Sequence, residues 1–179
     1  MELEKAGVQC FTGGAGTGSK KQPCQTHRDK IPLKDIIFPY IRFSTPEFQR
    51  VIDHMMISPI KGHETNKPPE LKGLHATVRG FTFDFGGGGL HGSLNNAAIY
   101  ADGEYMIYDV DVTSFYPKLA IVNRVYPEHL TEKFCDIYED LFNRRAMYPK
   151  KTAENEMLKL ALNGVYGDSN NEYGCFLDP

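Results

Sequence analysis

With 179 residues, 41% of them hydrophobic, and a net charge of −3, the chain is long enough to bury one ordinary core. It holds no apolar run near the ~20 residues that a membrane-spanning helix needs. It also lacks the overall basic excess that usually marks a nucleic-acid partner, so binding of that kind has to rest on where charges lie.

The four cysteines, Cys10, Cys24, Cys135 and Cys175, form no C-x-x-C pair, which argues against a zinc ribbon or a disulfide framework. Cys10, Cys24 and His27 have the wrong spacing for a standard metal site. A soluble protein of a reducing compartment, the cytoplasm, is expected.

Residues 1–30, with F-T-G-G-A-G-T-G-S-K-K-Q-P, are glycine-rich and aperiodic and predict a loop or disordered leader. A phosphate loop is not expected there, because Gly18 is followed by Ser19 and Lys20 rather than by Lys and Ser/Thr, and no helix pattern follows. Residues 31–74 read as a connecting helical segment and a linker. Ser44 and Glu47 have capping-box spacing, Pro46 suits a first turn, and Phe48, Val51, Ile52 and Met55 form the buried stripe of a helix running to about Ile57. The prolines and charges of 59–74 suit a linker.

From His75 to Phe85 the apolar positions alternate as in a strand, and the chain then enters Gly86-Gly-Gly-Gly-Leu-His-Gly92. Such a run serves a flexible hairpin connection, or lets the backbone approach a bulky partner closely. Ala97–Ala101 and Glu104–Val112 predict two strands joined across Asp102-Gly103. The second would carry Asp109 and Asp111 on one side of its end, where paired carboxylates suit a hard cation such as Mg²⁺. Phe115–Asn123 predicts a short helix, broken at Tyr126-Pro127-Glu128-His129. Thr131 to about Tyr148 predicts a long amphipathic helix with Phe134, Ile137, Tyr138, Leu141 and Phe142 on its apolar side. Pro149 ends it, and Thr152 caps a second helix that reaches Tyr166, making an antiparallel pair.

Two stretches carry the chemistry. Asp111-Val-Thr-Ser114-Phe115-Tyr116-Pro117 matches D-x-x-S-[LMF]-Y-P, and Lys159-Leu-Ala-Leu-Asn163-Gly-Val-Tyr166-Gly167 matches K-x-x-x-N-x-x-Y-G. In this order and separation they resemble motifs A and B of the family B DNA polymerases of bacteriophage type, over roughly Phe81 to Pro179. The resemblance implies an α+β, incomplete polymerase fold: an antiparallel-sheet palm portion (75–128, with the glycine-rich loop and motif A), a two-helix fingers hairpin (129–167, with motif B), and the start of a return into the palm (168–179).

By the same resemblance, Asp111 is the catalytic carboxylate and a ligand of two Mg²⁺ ions, with the Val112 carbonyl a further ligand. Ser114, Phe115, Tyr116, Arg145, Lys159, Asn163, Tyr166 and Gly167 would bind the incoming deoxynucleoside triphosphate. Tyr116 would fill the space of a ribose 2′-hydroxyl, and Gly88 and Gly89 would contact the template. Asp109 stays a candidate outside the immediate metal shell. The backbone at Ser114 and Phe115 turns into a helix, where free N–H groups favour phosphate oxygens. Lys159, Asn163 and Tyr166 share one helix face.

Motif C, the D-T-D turn supplying the second catalytic aspartate, is not in the sequence, and no D-x-E exonuclease motif is evident. The expectation is therefore a portion of a DNA-directed DNA polymerase that replicates viral DNA, truncated or completed by a second chain, and inactive alone. Its partners would be primer-template DNA and deoxynucleoside triphosphates. The alternatives are a non-catalytic nucleic-acid-binding module or polymerase relic, and a small phosphohydrolase using Asp109 and Asp111. The last explains neither Lys159-Asn163-Tyr166-Gly167 nor the helical pair.

Overall fold

The computed structural model describes residues 1–14, 20–62, 68–86, 89–94 and 96–179. In chain order its elements are α1 (Glu2–Lys5), β1 (Phe11–Thr12), β2 (Gln22–Pro23), β3 (Lys30–Pro32), α2 (Leu33–Ile36), α3 (Pro46–Ile57), β4 (Pro59–Lys61), β5 (His75–Val78), β6 (Phe81–Gly86), β7 (Gly89–Ser93), α4 (Phe115–Asn123), α5 (Lys133–Ala146) and α6 (Ala153–Gly167). The fold is mixed α and β, with small antiparallel sheets β1-β2, β3-β4 and β5-β6-β7. The chain divides into two units, Met1–His27 with Val112–Pro179, and Arg28–Asp111.

In the first unit, α5 turns Phe134, Cys135 and Tyr138 inward, where they meet Leu162 of α6 together with Leu130 and Cys175. Of the stripe expected from the sequence, Phe134 and Tyr138 are buried and Ile137, Leu141 and Phe142 pack partly buried against the core, while Cys135 joins it outside that expectation. Burial of the Tyr138 ring brings its hydroxyl along, and the hydroxyl donates to the Leu162 carbonyl at 2.6 Å. Thr152 caps α6 as expected, its side chain accepting from the Asn155 N–H at 3.3 Å. At the end of α4, Arg124 adopts a left-handed conformation (φ 53°) and reaches Glu132 at 2.8 Å and Asp136 at 2.7 Å, tying α4 to the start of α5.

Among the described residues of 1–30, expected as loop or leader, α1 and the β1-β2 pair stand within loop. Leu3, Val8 and Cys10 are buried in the same core, and Gln25 and Thr26 bond the backbone of Glu172, Gly174 and Leu177. Three isolated apolar residues produce no periodicity, so only the tertiary fold reveals their burial. The glycine string around Gly18 lies outside the described residues. The final stretch, 168–179, forms a short helical turn and loops and no strand.

In the second unit, α3 forms over the expected residues with Pro46 in its first turn and Val51 fully buried. Its N-cap is Thr45 rather than Ser44, and no side-chain cap bond forms, so the Ser44–Glu47 box is not used. Phe48 packs edge-on against Phe83 (5.1 Å) and Phe85 (5.9 Å), joining the helix to β6. The alternating stretch His75–Phe85 is a hairpin rather than one strand. Arg79 and Gly80 both have positive φ (50° and 85°), and Val78 pairs with Phe81 across this tight turn.

The two strands expected at 97–112 do not form. Asp102 does make a turn, its carboxylate accepting from the N–H groups of Glu104 and Tyr105, each at 2.8 Å, but the flanks find no ladder partner among the described residues. Without a neighbouring strand their backbone groups stay with solvent, and Tyr100, Tyr108 and Val110 are exposed.

Two measurements test this core. Tyr138→Phe leaves the Leu162 carbonyl without this donor and should cost about 1 kcal/mol in denaturant unfolding. Burial pushes the Cys10 thiol up from 9.0 to about 11. Because the folded state holds that proton more tightly, the contribution is complete below about pH 9 and is lost as pH rises toward about 11. The urea midpoint should fall across that window, and by less in Cys10→Ala; equal slopes would remove the thiol as the cause.

Candidate nucleotide-binding site

Helix α4 begins directly after Ser114, whose backbone is left-handed (φ 52°, ψ 50°), a conformation that costs a non-glycine residue roughly 1 kcal/mol. Ser114 does not cap the helix with its side chain. Its Oγ instead accepts from Nη1 of Arg145 at 3.3 Å. Pro117 has no N–H and the Lys118 N–H bonds the Ser114 carbonyl, so the N–H groups of Phe115 and Tyr116 are the ones left, at the positive end of a helix whose N-cap Ser114 holds a guanidinium, an arrangement that favours an anion.

Arg145 stands in the last turn of α5 and is held from the other side as well. Its Nε donates to Oδ1 of Asn155 at 3.4 Å. Asn155, 5% exposed, donates through Nδ2 to the carbonyls of Arg145 (3.2 Å) and Tyr148 (2.9 Å). Sequence reasoning did not single out Asn155. The one local signal was an amide in the first turn of α6, directly after the loop that joins it to α5.

Tyr116 of α4 and Tyr166 of α6 stack at 4.1 Å with an interplanar angle of 19°. Each keeps nearly half its surface open, and Phe115 lies 5.7 Å from Tyr116. Burial, and secondarily the nearby Tyr116, raises the pKa of Tyr166, so the Tyr166 ring stays a neutral phenol at physiological pH. Gly167 ends α6, and a Cβ there would meet no atom of the chain within 4 Å. Lys159 is exposed with Glu156 3.6 Å away, and Asn163 is exposed further along α6.

Four of the expected nucleotide-binding residues therefore meet within one unit in two pairs, Ser114 with Arg145 and Tyr116 with Tyr166, although they come from two separate motifs and a third helix. Asp111 is exposed and belongs to the unit Arg28–Asp111, while Val112, also exposed, opens the other. Asp109 and Asp111 do not share a strand face, since no strand forms there. Of the two glycines expected at a template, Gly88 lies outside the described residues. Gly89 begins β7 at φ 132°, a backbone that only glycine adopts without strain.

Among the described residues no three His, Cys, Asp or Glu side chains group closely enough to hold a metal ion. A Mg²⁺ ion needs fewer, taking one or two carboxylates with phosphate oxygens and water. Comparison of the chain with family models, with curated proteins and with solved structures gave no match.

Ser114→Gly relieves the left-handed strain while Ser114→Ala keeps it, and both remove the acceptor of Arg145. Thermal melts should place the glycine variant at or above the wild type and the alanine variant about 1 kcal/mol below it. A glycine variant as unstable as the alanine one would mean that the Arg145 bond, not backbone strain, governs this turn.

Proposed function

We propose that this chain carries the nucleotide-binding part of a DNA-directed DNA polymerase centre, in which a deoxynucleoside triphosphate is held between α4, α5 and α6. The observation that carries the reading is the junction of Ser114 with Arg145 and of Tyr116 with Tyr166. Residues matching the two polymerase motifs, far apart in sequence, meet at a helix N-terminus beside a cation. Neither a general acid–base pair nor an activated nucleophile is built there. The chemistry this arrangement can perform is recognition of a polyanion attached to a flat ring.

In this reading the guanidinium of Arg145 and the first-turn N–H groups of α4 take phosphate oxygens. Lys159 exchanges its weak, exposed pairing with Glu156 for the triphosphate, a change of partner that costs little because surface ion pairs contribute little. Asn163 adds a hydrogen bond. The Tyr116 and Tyr166 rings supply a surface on which the sugar and nascent base pair rest, with Tyr116 excluding a 2′-hydroxyl. Gly167 leaves space next to that surface, and Gly89 with Gly88 would lie against the template backbone.

By the motif resemblance, Asp111 and the Val112 carbonyl would be Mg²⁺ ligands, and the ion would supply charge stabilisation on phosphate oxygens. Nucleotidyl transfer draws on a second carboxylate that these motifs do not contain, so the chain by itself should bind nucleotide without incorporating it.

Calorimetric titration with Mg²⁺ and dATP provides the test. Arg145→Ala and Lys159→Ala should each weaken binding about tenfold, the loss of one charge-assisted contact. Tyr116→Val should let ATP compete with dATP while leaving dATP affinity within about threefold. Salt-dependent DNA binding with no nucleotide binding would replace this reading with that of a non-catalytic nucleic-acid-binding module.

A further inference from the structure

We infer that Asn155 is a positioning residue that holds the Arg145 guanidinium ready for the phosphates. The inference rests on the nucleotide-binding reading above and adds to it a residue outside both polymerase-like motifs. Among the described residues, Asn155 is the polar side chain that the core buries, and burial of an amide is tolerated only when its donors and acceptor are used. All three bonds run to the last turn of α5 or the turn that follows it. Nδ2 serves the carbonyl of Arg145, which also accepts the Tyr148 N–H at 3.2 Å, and the carbonyl of Tyr148 just past the helix, and Oδ1 receives Nε of Arg145.

One amide thus grips both the backbone and the side chain of the same arginine. With Nε held on Asn155 and Nη1 on Ser114, the guanidinium is braced at two of its nitrogens, and N–H donors remain for an anion. An arginine without this brace must order its long side chain when ligand binds, which lowers affinity without removing any ligand contact. A turn closure alone would need only the two Nδ2 bonds. The Oδ1 bond to Nε is what assigns Asn155 to the side chain.

The experiment is a double-mutant cycle on Arg145 and Asn155, read by calorimetry with inorganic tripolyphosphate and with dATP in Mg²⁺, thermal melts being taken in parallel. Asn155→Ala should weaken both ligands about fivefold to tenfold, while adding it to Arg145→Ala should cause no further loss. Losses that multiply in the double variant, or wild-type affinity in Asn155→Ala, would overturn the inference while leaving the nucleotide-binding reading intact. An Arg145→Ala variant that binds as well as the wild type would remove the reading itself and the inference with it.

A ligand-free measurement separates positioning from folding. The Arg145 Nε–H resonance, assigned by its loss in Arg145→Ala, should sit apart from those of exposed arginines and move to their position in Asn155→Ala. Should the alanine variant fail to fold, Asn155→Asp keeps the acceptor for Nε and should keep the resonance displaced. A resonance at the exposed position in the wild type would defeat the proposal.

Discussion

The arrangement of the unit that holds the candidate site depends on the register between α5 and α6. Burying Phe134, Cys135 and Tyr138 against Leu162 sets that register at mid-length, because the Tyr138 hydroxyl leaves water only where the Leu162 carbonyl can receive it. A slip along either helix would move that hydroxyl off this carbonyl. At the turn, Asn155 adds a second polar contact, on the carbonyls of Arg145 and Tyr148. The two polar contacts lie at different heights of one apolar interface, so apolar burial supplies attraction and the hydrogen bonds select the geometry.

That geometry brings unlike chemistry together. Arg145 is delivered by the end of α5, Tyr166 by the last turn of α6, and Ser114 and Tyr116 by the start of α4. α4 is itself held at its far end by Arg124, whose left-handed backbone aims the side chain at Glu132 and Asp136. Both ends of this short helix therefore have non-glycine residues in a conformation that few side chains favour, and each makes its side-chain contacts to another element from there. Local strain at Ser114 and Arg124 is offset by contacts that only the assembled helices provide.

The unit Arg28–Asp111 shows the opposite case. β6 finds neighbours on both sides, β5 and β7, and its phenylalanines find Phe48 of α3. The stretch from 97 to 112 has apolar residues of comparable strand character and a well-formed turn at Asp102, yet it has no ladder among the described residues. Strand character in a sequence expresses fitness for a pleated surface and cannot provide that surface.

The positions of α3, α4, α5 and α6 and most of the buried face of α5 were legible in the sequence, because a stripe recurring every three to four residues and a Thr or Pro at a boundary act within a few residues of chain. Most residues of the candidate site were legible as types and spacings in two motifs, and Gly80 within His75–Phe85 was a turn signal that the alternation hid. Burial of Leu3, Val8 and Cys10, the pairing of Ser114 with Arg145, the Tyr116–Tyr166 stack and the contacts of Asn155 were not. Each joins residues that are distant along the chain or lie across a turn, and no local propensity records which surfaces will meet. The sequence by itself determined where the four longer helices lie and which face of α5 is apolar. Tertiary structure alone decided which polar groups those faces bring into contact, because a buried donor takes the acceptor that packing leaves within reach.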